Sequence, residues 1–209
     1  MDAIRDTPSN LADIDNNLDG LTAYLSGRWQ PEGLNDRLLT ALAMRLVKFG
    51  HAFMLVGRTG YYEPGAVLAR SAYETYLWTR WIIVDPQNGQ RYFDTGQRSA
   101  QNMAKKLTHL GGLQGSAEEQ AILPATLERV PTVGSLVNDM AAENGKVKKY
   151  HDLVYGYLSN FCHGNSLATI DTRRNIVSLL PEPEHEQLQM ISQLMLGLVT
   201  HEWHLLENW

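Results

Sequence analysis

Apolar residues recur at intervals of three and four along most of this chain. That period constrains it most, because only a helix burying one face repeats every 3.6 residues. Leu11, Ile14, Leu18, Leu21 and Leu25 form one such stripe, with Ser9 or Asn10 as the expected cap and Gly27 at its end. Leu38, Leu42, Leu46, Phe49 and Phe53 form a second, with Asn35 as the expected cap and Gly57 to Gly60 as the stop. Leu188, Ile191, Met195, Leu198 and Leu205 place a final helix over 184–208. Between these, helices are expected over 65–84, with Pro64 in the first turn and Asp85-Pro86 as the stop, over 88–110, and from 146 to 162 or 163. Pro124, Pro131, Gly134 and Gly145 break the middle, so short helices are expected over 117–130 and 133–144, and 168–180 reads as extended or irregular with room for one short hairpin. The expected fold is an all-α multi-helix bundle with a segmented middle. With no repeat and no dividing linker, residues 1–209 read as a single helical domain in which 1–30 form a packed N-terminal helical extension.

Composition excludes several classes. Cys162 is the sole cysteine, so neither an intramolecular disulfide nor a multi-cysteine metal cluster is available. A net charge of −5 argues against a broadly basic surface that coats nucleic acid, while leaving room for a local basic pocket. Residues 1–6 lack the form of a signal peptide, and the densest apolar stretches, Trp81 to Val84 and Ile191 to Val199, fall short of the roughly 20 residues that span a bilayer. A cytoplasmic location without membrane contact is expected.

Two segments carry chemistry. In the third helix, Arg70 and Glu74 stand four apart on a stripe with Val67, Leu77 and Trp81. If that stripe faces inward, neither charge can stay unpaired, and the guanidinium fork would be aimed at a phosphate or at a carbonyl-rich helix end. The plainer alternative is an ion pair that holds helices together. Tyr73 is the candidate ligand contact among the aromatics Tyr76, Trp78 and Trp81, whose helical spacing otherwise suits a core. In a later helix, Tyr150, Val154, Tyr157 and Phe161 read as the packing stripe, and Asp152, Gly156, Ser159 and His163 as a small polar one. His163 precedes Gly164 at the expected helix end, where the negative end of the helix favours its charged form. It is a candidate acid, base or phosphate-facing cation, with Ser159, Asn160 and Asn165 as candidate ligand contacts. No nucleophile elbow accompanies Ser159, and Cys162 reads as a buried small residue.

Over residues 34–166 the order of helices and these two segments, Arg70 to Glu74 and Tyr155 to His163, resemble an uncharacterised family of bacterial helical proteins. Its marks are an Arg-x-x-x-Glu helix and a Tyr-x-x-Leu-Ser-x-x-x-His helix end. More distantly, His163-Gly164 is similar to part of the Arg-polar-x-x-x-His element of HEPN domains. That resemblance implies a helical metal-independent ribonuclease or a non-catalytic binding module, with phage defence or a toxin among the implied settings. Leu158 stands where the element has Arg. Arg70 would then supply the missing cation from another helix; Arg45 and His51 form an alternative arginine-to-histidine element within helix two, with Leu46 after Arg45.

The enzyme reading is metal-independent RNA cleavage, with His163 moving protons, Arg70 stabilising phosphate charge and Glu74 orienting Arg70. The alternative is a non-catalytic module that binds a small phosphate-containing ligand, a protein partner or a second copy through the same residues. No cofactor and no metal are expected. His201 and His204, three apart with Glu207 a turn on, lack a further ligand set and read as packing or surface. Lys146, Lys148 and Lys149 form a small basic run, joined in composition by Arg173 and Arg174, and read as a solvated cap.

Overall fold

The structure, a computed structural model, describes residues 9–27, 30–109, 131–141, 145–162, 170–171, 176–177 and 185–209. Its helices are α1 (Leu11–Gly27), α2 (Leu34–Thr59), α3 (Tyr62–Val84), α4 (Gln87–His109), α5 (Val133–Ala141), α6 (Gly145–Cys162) and α7 (His185–Glu207). Two short strands, β1 (Ile170–Asp171) and β2 (Ile176–Val177), pair antiparallel with Ile170 opposite Val177. The molecule is an all-α multi-helix bundle with this one minimal hairpin. The expected helix over 117–130 lies outside the described residues.

The α1 stripe packs as its period requires: Leu11, Ile14, Leu18, Leu21 and Leu25 are all buried against α2 and α7. Burying each contributes ~1.5–3 kcal/mol, which a single amphipathic helix cannot obtain alone. Gly50 permits the close approach of α1 and α2, since a Cβ there would lie 2.5 Å from Leu18 Cδ2. Polar contacts lock α1 to α7: Ser192 Oγ donates to Asn10 Oδ1 at 2.7 Å, and the Tyr24 hydroxyl donates to the Leu206 carbonyl at 3.1 Å.

The cap of α2 differs from expectation. Gly33 takes that place, because the Asp36 carboxylate accepts from the Glu32 and Gly33 amides, and from Trp209 Nε1 at 3.0 Å. Asn35 instead donates to the Pro86 carbonyl at 2.9 Å, tying α2 to the start of α4. Gly60 ends α2 with φ 78°, a left-handed conformation that favours glycine. α3 starts before Pro64, which sits within the first turn, where its missing N–H leaves no helical bond unmade.

α3 is the central element, touching α2, α4, α5, α6 and α7. Ala66, Ala69 and Ala72 are fully buried and let neighbours come close, while Tyr73, Leu77, Trp81 and Ile82 fill the core. The stripe through Val67, Arg70, Glu74, Leu77 and Trp81 is thus split: Leu77 and Trp81 are buried, Arg70 and Glu74 lie at the boundary of the core, and Val67 is exposed. α2 is long and apolar enough to cross a membrane by length and composition, but its Leu39, Leu42, Leu46 and Phe53 are packed inside the bundle.

Candidate functional site

The site lies where α3 packs on α6. Arg70 Nε donates to Glu74 Oε1 at 3.1 Å, one helical turn away on the same face. Arg70 Nη2 donates to the Tyr155 hydroxyl at 2.7 Å, and that hydroxyl donates to Glu74 Oε1 at 3.3 Å. The three side chains close a triangle in which one carboxylate oxygen accepts from both partners. The Arg70 guanidinium also lies 4.8 Å from the Tyr155 ring centroid, so the ring is both hydrogen-bond partner and cation–π surface. Side-chain exposures of 16% for Arg70 and 34% for Glu74 leave the triangle within reach of solvent.

Behind the triangle the stack continues inward. The His151 ring lies 4.9 Å from Tyr155 at 21° and 5.8 Å from Tyr73 at 25°. The Tyr73 hydroxyl and His151 Nδ1 are 3.2 Å apart. Burial raises the Tyr73 phenol, so it keeps its proton and can donate to Nδ1. Burial also lowers His151, with the Asp152 charge opposing, so the imidazole is neutral at pH 7. With Tyr73 donating, Nε2 carries the imidazole proton.

Of the residues expected at a site, the structure joins Arg70 to Glu74 and places Tyr73 one layer behind them through His151 and Tyr155. Ser159 follows Tyr155 by four residues, and its Oγ is buried with no hydrogen-bond partner among the described residues. His163 and Asn165 lie outside the described residues; Asn160 lies on α6. Tyr155 and His151 were missed as site residues. Of the packing stripe expected on α6, Val154 and Tyr157 pack against the core, but Tyr150 is 54% exposed, while His151 and Leu158 are buried and Tyr155 is half-buried. The stripe His151, Tyr155, Leu158 is also spaced by four and three, so the period was present. A histidine stands in it where a packing stripe ordinarily carries an apolar residue. Leu158 is fully buried, so this side of α6 belongs to the core and not to an arginine-bearing face.

Other candidates separate. Arg45 and His51 are exposed on α2, with Arg45 5.4 Å from the Phe49 ring centroid. His201 and His204 are exposed on α7, with His204 Nδ1 3.5 Å from a Glu207 oxygen. No three His, Cys, Asp or Glu side chains gather to hold a metal ion among the described residues. Lys148 and Lys149 are exposed; Arg173 and Arg174 lie outside the described residues.

These features define a helical bundle with one preorganised arginine–carboxylate–tyrosine centre between two of its helices. Residues 36–175, more than half of the chain, match the family of unknown function DUF5677, and the chain belongs to that family. The matched span includes both Arg70 to Glu74 and Tyr155 to His163. Neither the curated proteins nor the solved structures contain a match to the chain.

Proposed function

We propose that the chain is a metal-independent RNA-cleaving enzyme whose phosphate-binding group is Arg70. The observation that supports this is the guanidinium itself, held by Glu74 on its own helix and by Tyr155 from another, at the boundary of the core. An arginine already fixed loses little side-chain entropy when it binds phosphate, and it can stabilise the charge that builds on phosphorus during transfer. The 2′-hydroxyl attacks the adjacent phosphorus and the 5′-oxygen leaves, giving a cyclic phosphate and a 5′-hydroxyl. His163, eight residues beyond Tyr155, moves the proton, in keeping with the distant HEPN resemblance. Wild-type protein should cleave a mixed RNA panel in EDTA, and H163A should not. Equal cleavage by the two proteins, or none by either, sinks the mechanism.

One observation favours a non-catalytic module instead: Glu74 already balances the Arg70 charge, and the described histidine of the centre, His151, is neutral and buried. Such a centre suits a small phosphate-containing ligand or a protein partner. This reading gains if wild type binds a nucleoside phosphate without cleaving RNA and R70A weakens that binding at unchanged thermal stability.

A further inference from the structure

α2 and α4 concentrate charge of one sign. Their sequences hold eight lysines and arginines and two aspartates, a net of +6, while all other residues, with ten basic and 21 acidic, come to −11. The acidic average thus conceals two helices whose own net charge is positive. The outward face of α2 runs through Arg37, Met44, Lys48, His51, Leu55 and Arg58, all exposed and placed on one heptad-like ridge, with Arg45 beside it. Its one acid, Asp36, is engaged with the amides at the start of the helix and with Trp209. α2 packs beside α4, close enough for the Arg45 charge to act on Tyr92, and Arg91 and Arg98 carry the basic character along α4. Arg58 meets Asp15 at 3.6 Å, but both side chains are largely exposed and such a pair is worth little.

We infer that the α2–α4 face binds the phosphate backbone of an RNA strand. The inference takes its substrate class from the proposed function and involves other residues. From Arg37 to Arg58 the ridge extends ~32 Å at 1.5 Å per residue, long enough to follow several phosphates. A second copy docked face to face would oppose cation to cation. An interfacial helix would bury a continuous apolar crest, whereas here Lys48 and His51 stand between Met44 and Leu55.

Fluorescence anisotropy with a labelled 2′-O-methyl oligonucleotide of mixed sequence tests the surface, because this probe lacks the attacking hydroxyl. Wild type should bind with an affinity that falls steeply between about 50 and 200 mM salt, and R45E/K48E should weaken it about tenfold or more. K48E and R91E, each alone, keep the test intact if the double variant fails to fold. Equal affinity of wild type and the charge-reversal variants overturns the inference. So does capture of wild type by phosphatidylserine vesicles, or its self-association, without oligonucleotide binding. Probe binding without cleavage of unmodified RNA removes the catalytic reading and leaves this surface standing. Cleavage of unmodified RNA that R45E/K48E leaves unchanged at limiting substrate removes the surface alone.

Discussion

Helix α3 presents polar groups to two neighbours and meets them in opposite ways. Towards α6, Arg70, Glu74 and Tyr155 satisfy one another at the edge of the bundle, where solvent still reaches the carboxylate. Towards α7, Thr79 donates to Glu202 Oε1 at 2.7 Å in the dry core, and Glu202 Oε2 has no partner among the described residues. A carboxylate beside a guanidinium can stay charged while partly buried. A carboxyl sealed in with one hydroxyl holds its proton instead, and burial pushes Glu202 up to about 8, with Thr79 pulling the other way. The same side-chain chemistry, one helix apart, becomes a charge in one interface and a neutral acid in the other.

The largest expected effect breaks that contrast at Glu202. Its folded value of about 8 stands above the ordinary 4.5, so its contribution to stability is complete below about pH 4.5 and is lost as pH rises through 8. The loss across that window is on the order of several kcal/mol, since each unit of difference corresponds to about 1.4 kcal/mol. Urea unfolding of wild type at stepped pH should show stability falling between about pH 4.5 and 8, and Glu202→Gln should flatten that fall. Parallel profiles for the two proteins would place the pH dependence elsewhere.

A smaller effect is expected at the charged interface. Glu74→Leu leaves Arg70 with Tyr155 but without its carboxylate, in a site that is only partly buried. The expected loss is ~1–2 kcal/mol, reduced from the larger figure for a sealed pair by solvent screening. Arg70→Met/Glu74→Leu should recover much of it, because the double change removes both charges together. A double variant less stable than the sum of the two single changes would mean that the pair holds the helices by more than its own charge balance.

The bundle was legible because burial imposes a period, and α1 shows it most cleanly: every residue of its predicted stripe is inside. The pairing of Arg70 with Glu74 was legible from their spacing, since four residues on a helix bring side chains together wherever the helix points. The rotation of α6 was not, because Tyr150 outranks His151 on any scale of apolarity, yet His151 finds Tyr73 as a polar partner and can be buried. Glu202 is obscured in the same way, because between His201 and His204 a carboxylate has the composition of a metal-ligand cluster. It continues the buried series Met195, Leu198, Glu202, Leu206, so the period alone marked it as inward. In both cases the pattern was present, and residue type concealed it.

The next effect in size separates the hydroxyl of Tyr155 from its ring. Tyr155→Phe keeps the stack on His151 but removes the hydrogen bonds to Arg70 and Glu74, for an expected loss of about 1 kcal/mol. Under the proposed function the same change should lower RNA cleavage by more than it lowers stability, because Arg70 then loses the hydrogen bond from its Nη2 to the Tyr155 hydroxyl.

The smallest effect concerns His151, and it has the opposite sign to that of Glu202. Burial lowers His151 from its ordinary 6.5, so its contribution to stability is present above that value and is lost as pH falls. In the Glu202→Gln background, stability should therefore decline on acidification below about 6.5, before ordinary carboxylates titrate near 4. Adding His151→Gln, which preserves a polar partner for the Tyr73 hydroxyl, should remove that decline. If it persists, the acid-sensitive group lies outside the stack. If it disappears, one helix has been shown to hold two interfaces whose pH responses oppose each other, one because a base is kept neutral and the other because an acid is.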